Sequence, residues 1–154
     1  MNYPPDLYQL PALSIRQPWA WCILHAGKDV ENRTWSQRNP GRKFRGRFLI
    51  HASKGMTKAE YATARDFAKE AHRKCTGGVE LDFPGPGTFP RGCIVGVAEI
   101  VECVQFSNRP WFTGQVWCRE DCGLILSNVR PLAPIDCKGA LGFFKPKLPE
   151  GLLS

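Results

Sequence analysis

The sequence lacks any apolar run near membrane-spanning length, and its 154 residues hold no internal repeat, phosphate-cradling glycine loop, dinucleotide fingerprint or nucleophile elbow. Membrane-spanning helices and the common cofactor-binding designs are therefore excluded, and no cofactor is implied. A secretory start is also missing. Residues 1–11 carry Asp6 and the adjacent Pro4 and Pro5 in place of a basic start and an apolar stretch, so they read as a loose lead-in. Cysteine occurs seven times without a framework. Cys118 and Cys122 form the one close pair, and Cys103 and Cys137 do not supply the second short pair that a zinc site needs. Thiols scattered in this way point to a reducing, cytoplasmic setting and to no metal.

Acid is scarce. Against 14 Asp and Glu stand 21 Lys and Arg, giving a net charge of +7 and a pI near 9.2, a balance that favours polyanionic partners. The excess is concentrated in residues 38–47, where Arg38, Arg42, Lys43, Arg45 and Arg47 are interrupted by Pro40, Gly41 and Gly46 and by no acid. Such a segment is a cationic loop suited to phosphate, or a loop kept soluble by charge. With 43% hydrophobic residues, the chain is long enough for one domain with a substantial core.

The chain is organised around residues 12–54. Pro18-Trp19-Ala20-Trp21-Cys22-Ile23-Leu24-His25 has almost no polar face and predicts a short helix packed inside the protein, opened by Pro18 and closed by Gly27. An extended strand follows. Alternation puts Glu31, Arg33 and Trp35 on one face and Val30, Asn32 and Thr34 on the other, with Lys28 at the helix-to-strand turn able to reach the charged side. This cluster reads either as an exposed strand whose charges neutralise each other or as a cleft bordered by the cationic loop.

Beyond the loop, residues 48–52 read as a buried strand with Arg47, Leu49 and His51 on one face and Phe48, Ile50 and Ala52 on the other. His51 is more ordinarily structural than catalytic, and Ser53 and Lys54 beside it are placed to face a pocket. Thr57 and Glu60 fit a reciprocal capping box, opening a helix whose apolar stripe is Tyr61, Ala64, Ala68 and Ala71. Residues 76–92 are rich in glycine and proline and predict a long loop, either a flap over the cleft or an insertion. Residues 93–104 form the strongest strand, in which Gly96 predicts a bulge or close approach and Glu99 either needs a partner or sits on the strand's wet side. Residues 109–114 read as a loop whose Trp111 and Phe112 either offer stacking surfaces or fold back onto the core. Two further strands are predicted at 123–127 and 140–144, with Pro131 and Pro134 turning the chain between them and a tail from 145 onward.

Several of these stretches together resemble the ASCH domain, a branch of the PUA-like superfamily, and in particular the subgroup found in activating signal cointegrators and small bacterial proteins. The resemblance is carried by Ser14-Ile15-Arg16-Gln17-Pro18-Trp19-Ala20, by Lys28-Asp29-Val30-Glu31-Asn32-Arg33-Thr34-Trp35 and by Arg45-Gly46-Arg47-Phe48-Leu49-Ile50-His51-Ala52. It continues at Gly92-Cys93-Ile94-Val95-Gly96-Val97-Ala98-Glu99-Ile100 and Lys138-Gly139-Ala140-Leu141-Gly142, and so covers residues 10–145. The fold it implies is α+β and mostly β: one domain over residues 1–154, a small PUA-like barrel with flanking helices, in which Lys28 or Arg33 would neighbour and partner Glu99. The function it implies is binding of RNA, DNA or a nucleoside, without membrane association. Lys28, Glu31, Arg33, Trp35, Arg38, Arg42, Lys43, Arg45, Arg47, Lys54 and Trp111 are then the candidate contacts, the cations for phosphates and the aromatics for bases. Some ASCH proteins are ribonucleases, and others are amidohydrolases that deacylate a modified cytidine with a lysine, a threonine and a later glutamate. Those positions correspond to Lys28, Glu31 in place of the threonine, and Glu99. The alternative reading is therefore a nucleoside- or RNA-processing hydrolase using Lys28 with Glu31 or Glu99, without the hydroxyl that an acyl intermediate would need.

Overall fold

A computed structural model describes residues 2–106 and 121–153. The chain forms β1 (Ala12–Ile15), α1 (Trp19–His25), β2 (Val30–Arg33), β3 (Gly46–Ala52), α2 (Lys58–Cys75), β4 (Cys93–Phe106), β5 (Asp121–Asp136) and β6 (Phe143–Phe144). All six strands belong to one sheet in the order β2-β5-β4-β3-β1-β6, curled into a half-barrel. β1 and β3 run parallel, and every other pairing is antiparallel. The mostly β barrel with flanking helices is the predicted fold. No helix among the described residues is long and apolar enough to cross a membrane.

Strand alternation sorts the core onto the two sheet faces. Leu13, Ile15, Phe48, Ile50, Ala52, Ala98, Ile100, Leu124 and Leu126 fill the inside of the curl together with Ala20 and Ile23 of α1. The other face carries Ala12, Leu49, Ile94, Val97, Leu132 and Ile135. The chain ends cover that face. Leu7 is fully buried there, Leu148 and Leu152 pack against it, and the Tyr8 hydroxyl donates to the Pro149 carbonyl at 2.7 Å. The lead-in and the tail, expected to be loose, thus serve as an outer layer, because an apolar sheet face left in water would be costly.

β5 runs straight through Pro131 and Pro134, where a turn was expected. The reason lies in its pairing. Only Cys122 to Ile125 are paired with β2, so farther along β5 has a free edge on that side, where a missing amide hydrogen breaks no ladder bond. The second helix has its expected stripe, with Ala64, Ala68 and Ala71 buried and the last two packed against Cys22 of α1 and Ala26 just after it. The loop over 76–92 does not cover the interior of the curl. Phe83 stacks on Trp21 at 5.3 Å and meets Phe89 and Tyr61 edge-on, while the Tyr61 hydroxyl donates to the Pro84 carbonyl at 2.6 Å.

Gly96 sits at a register shift between β4 and β5, and a Cβ there would meet the Leu24 side chain of α1 and lie 3.0 Å from the Arg130 carbonyl. The helix rests on this gap. Gly96→Val should lower stability by about 1–3 kcal/mol in urea unfolding, the cost of overpacking a rigid contact.

His51 faces the outer layer, where its Nε2–H donates to the Cys137 carbonyl at 2.7 Å and its Nδ1 accepts from the Ser14 hydroxyl at 2.9 Å. Burial pushes the imidazole below its usual 6.5, against the opposing pull of the carbonyl. Below that pH the unfolded chain takes up a proton that the native imidazole resists, so stability falls with acidification. The urea midpoint should drop between about pH 7.5 and 5.5, and His51→Gln should flatten that slope; an unchanged slope would contradict the assignment.

Candidate nucleic-acid interface

The path from α1 into β2 positions the first charged groups. Gly27, with φ of +76°, turns the chain back so that the Lys28 amide donates to the Cys22 carbonyl at 3.2 Å. The Lys28 side chain then runs inward, with only 3% of the residue exposed. Its ammonium donates to the Val30 carbonyl and lies 5.7 Å from the centre of the Trp19 ring. Glu31 and Arg33 follow on β2, opposite Leu124 and Cys122 of β5, so both side chains point into the curl, as alternation predicts. The Arg33 guanidinium meets the Glu31 carboxylate at 3.0 Å, donates to the Ser14 carbonyl of β1 at 2.6 Å, and lies 5.3 Å from the centre of the Trp35 ring.

These residues line one cleft of about 170 Å³, walled by Ser14, Ile15, Arg16, Trp19, Lys28, Glu31, Asn32, Arg33 and Phe67. The volume is below the several hundred Å³ of pockets for drug-sized ligands and suits a single ring system. Its chemistry is mixed. Trp19 and Phe67 supply an apolar, aromatic wall, with their rings 5.8 Å apart and edge to face. The ammonium and guanidinium supply hydrogen-bond donors and the carboxylate acceptors. Arg33 Nε is buried and has no hydrogen-bond partner among the described residues.

Trp35 occupies a different place. It packs at 6.0 Å from Phe143 of β6, and a Cβ on Gly41 would lie 2.6 Å from its ring, so the indole is held between the cationic loop and the sheet edge. The cations of the loop are dispersed as well. Arg42 donates to the Trp35 carbonyl at 3.0 Å; Arg45 donates to the Arg42 and Phe44 carbonyls and reaches Glu102 at 3.3 Å. Arg47 points to the outer face, where it holds Asp6 through two hydrogen bonds. Arg38 and Lys43 are exposed, as is Lys54, and none of the three lines the cleft.

Glu99 does not join Lys28 or Arg33. It lies opposite Arg47 in the β3–β4 ladder and accepts from Asn128 at 2.9 Å, because β5 separates β4 from β2 and the strand directs the carboxylate to the outer face. Trp111 and Cys118 lie outside the described residues. Among those described, no three His, Cys, Asp or Glu side chains gather in a metal-binding group. Sequence reasoning left Arg16, Trp19, Asn32 and Phe67 out of the site. Arg16 and Trp19 flank the turn from β1 into α1, a junction that directs side chains toward the open end of the curl, and this was the available signal.

A curled, mostly β sheet flanked by helices, with a charged cleft at one end, defines the class: the chain belongs to the ASCH domain family, whose profile matches residues 13–117, and is thereby related to the RNA-binding PUA-like superfamily. Among curated proteins, the chain is similar to activating signal cointegrator 1 of Homo sapiens, 28% identical over 94 residues, and to that of Mus musculus, 27% identical over 93 residues. Each alignment covers 60% of this chain and only 14% of the relative's length.

Glu31 is 8% exposed at its side chain and Arg33 21%, so each charge depends on the other for much of its solvation. Glu31→Gln should destabilise the protein by roughly 2–4 kcal/mol in urea unfolding, somewhat under the cost of a fully buried pair because the guanidinium retains contact with water. A loss below about 0.5 kcal/mol would show the pair to behave as a surface one.

Proposed function

We propose that this chain is a nucleic-acid-binding module that receives a single base or strand end, most readily of RNA, in the cleft formed by Lys28, Glu31, Asn32 and Arg33. The observation that carries this reading is the convergence of a buried ammonium, a buried carboxylate and a guanidinium on one aromatic-walled cleft of about 170 Å³. The polar groups match the donors and acceptors of a base edge, and the Trp19 face offers stacking to any base. Family membership supports the same reading. Arg38 and Lys43 supply phosphate contacts outside the cleft, and the separation of Glu99 from Lys28 leaves Glu31 as the one carboxylate of the hydrolase reading.

Phosphate contacts release counterions, so affinity for short single-stranded RNA should fall by about 10-fold or more between 50 and 200 mM salt. Arg38→Ala and Lys43→Ala should each weaken binding a few-fold, alike for all sequences, and reduce that salt dependence. Lys28→Met should cost at least about 10-fold with the salt dependence nearly retained, since its contact is to the base and not to the backbone. Fluorescence anisotropy measures all three. Affinity indifferent to salt, or full binding by a folded Lys28→Met protein, would contradict the proposal.

A further inference from the structure

At the mouth of the cleft stands Arg16, a residue with no assigned role. Its Nε and Nη2 donate to the two carboxylate oxygens of Glu60 at 2.8 Å each, in the forked geometry that guanidinium groups also use for phosphate. The guanidinium sits beside Gly55, where an added Cβ would lie 3.1 Å from both Nη atoms. Both partners are well exposed, 49% for Arg16 and 37% for Glu60, so the ion pair is of the kind that contributes little to stability and exchanges readily.

Glu60 has a second place to go. The sequence pairs it with Thr57 as a reciprocal capping box, yet only half of that box is made: Thr57 Oγ1 accepts from the Glu60 amide at 3.0 Å, while the Glu60 carboxylate is turned away to Arg16. Released from Arg16, the carboxylate can swing back to the Thr57 amide and complete the cap. The pair therefore has the properties of a resident anion that a ligand can displace at small cost.

We infer that Arg16 binds the phosphate of the nucleotide whose base enters the cleft, and that Glu60 occupies the phosphate position until the ligand arrives. The inference rests on the base-binding reading and adds that the ligand is a phosphorylated nucleotide, not a free nucleoside. No covalent bond is made or broken; one anion replaces another on the same guanidinium, and Glu60 returns to its own helix end.

The test is calorimetric titration, at fixed ionic strength, of the four common ribonucleosides, their 5′- and 3′-monophosphates, and dinucleotides joined through the same phosphate. The wild-type chain should bind the monophosphate of its preferred base about 10-fold more tightly than the nucleoside, the value of one charge-assisted forked contact. Arg16→Gln should bring the monophosphate-to-nucleoside affinity ratio down to about 1, and Glu60→Gln should raise that ratio by about 3-fold or more. Thermal unfolding confirms that each variant is folded. A dinucleotide tighter than the monophosphate assigns the phosphate to a strand, the reverse order to a free nucleotide, and both support the role of Arg16. Equal affinity for nucleoside and monophosphate, or a preference that survives Arg16→Gln, would overturn the inference and leave the base-binding cleft standing. Binding of neither compound class would overturn both.

Discussion

The structure depends on one guanidinium. The sheet order leaves β2 at one edge and β1 next to the other, so among the described residues no backbone ladder joins the two sides of the half-barrel across its open seam. Arg33 makes that join. From β2 it donates to the Ser14 carbonyl of β1 and holds the Glu31 carboxylate beside it, while Trp35, just beyond β2, packs against Phe143 on β6. Phe143 in turn meets Phe44 at 4.4 Å and the buried Phe48 edge-on, so an aromatic plug continues the polar bridge. A cationic side chain is suited to this position because a guanidinium can serve a carbonyl, a carboxylate and a ring face at once.

Closure of the seam also creates the cleft. Once β2 is drawn toward β1, the Glu31 carboxylate and the Lys28 ammonium are enclosed between the strand pair and α1, and the aromatic faces of Trp19 and Phe67 close the remaining side. Charges in such a position are costly to keep without compensation, and here part of the compensation is internal: Arg33 for Glu31, and the Val30 carbonyl and the Trp19 ring for Lys28. A ligand that supplies further hydrogen bonds to these groups gains from their preorganisation, since their side chains are already fixed. Stability and recognition are thus properties of the same residues.

Much of this was legible in the chain. The short apolar helix between Pro18 and Gly27, the strand that places Glu31 and Arg33 on one face, and the alternation of Phe48, Ile50 and Ala52 against Leu49 and His51 follow from local periodicity and turn chemistry, and the structure has each of them. Side-chain direction beyond a single element was less accessible. The cationic loop reads as one phosphate-binding segment, yet Arg47 belongs to the following strand and alternates to the outer face, while Arg42 and Arg45 satisfy nearby carbonyls. Glu99 was expected beside Lys28, but strand order is a long-range property, and β5 lies between the two. Trp19 and Phe67 look like core residues of their helices; only the packing of α1 on α2 exposes their faces to the cleft.

The central claim is that the groups converging beneath the seam form a site for a base. Nuclear magnetic resonance titration of the labelled protein with a short single-stranded RNA tests it most directly, because amide and side-chain shifts report contact residue by residue. The account predicts the largest shifts at Trp19, Lys28, Glu31, Asn32 and Arg33, with smaller ones at Arg38 and Lys43. Shifts confined to exposed cations on α2 or the outer face, with the cleft residues unmoved at saturating RNA, would contradict it.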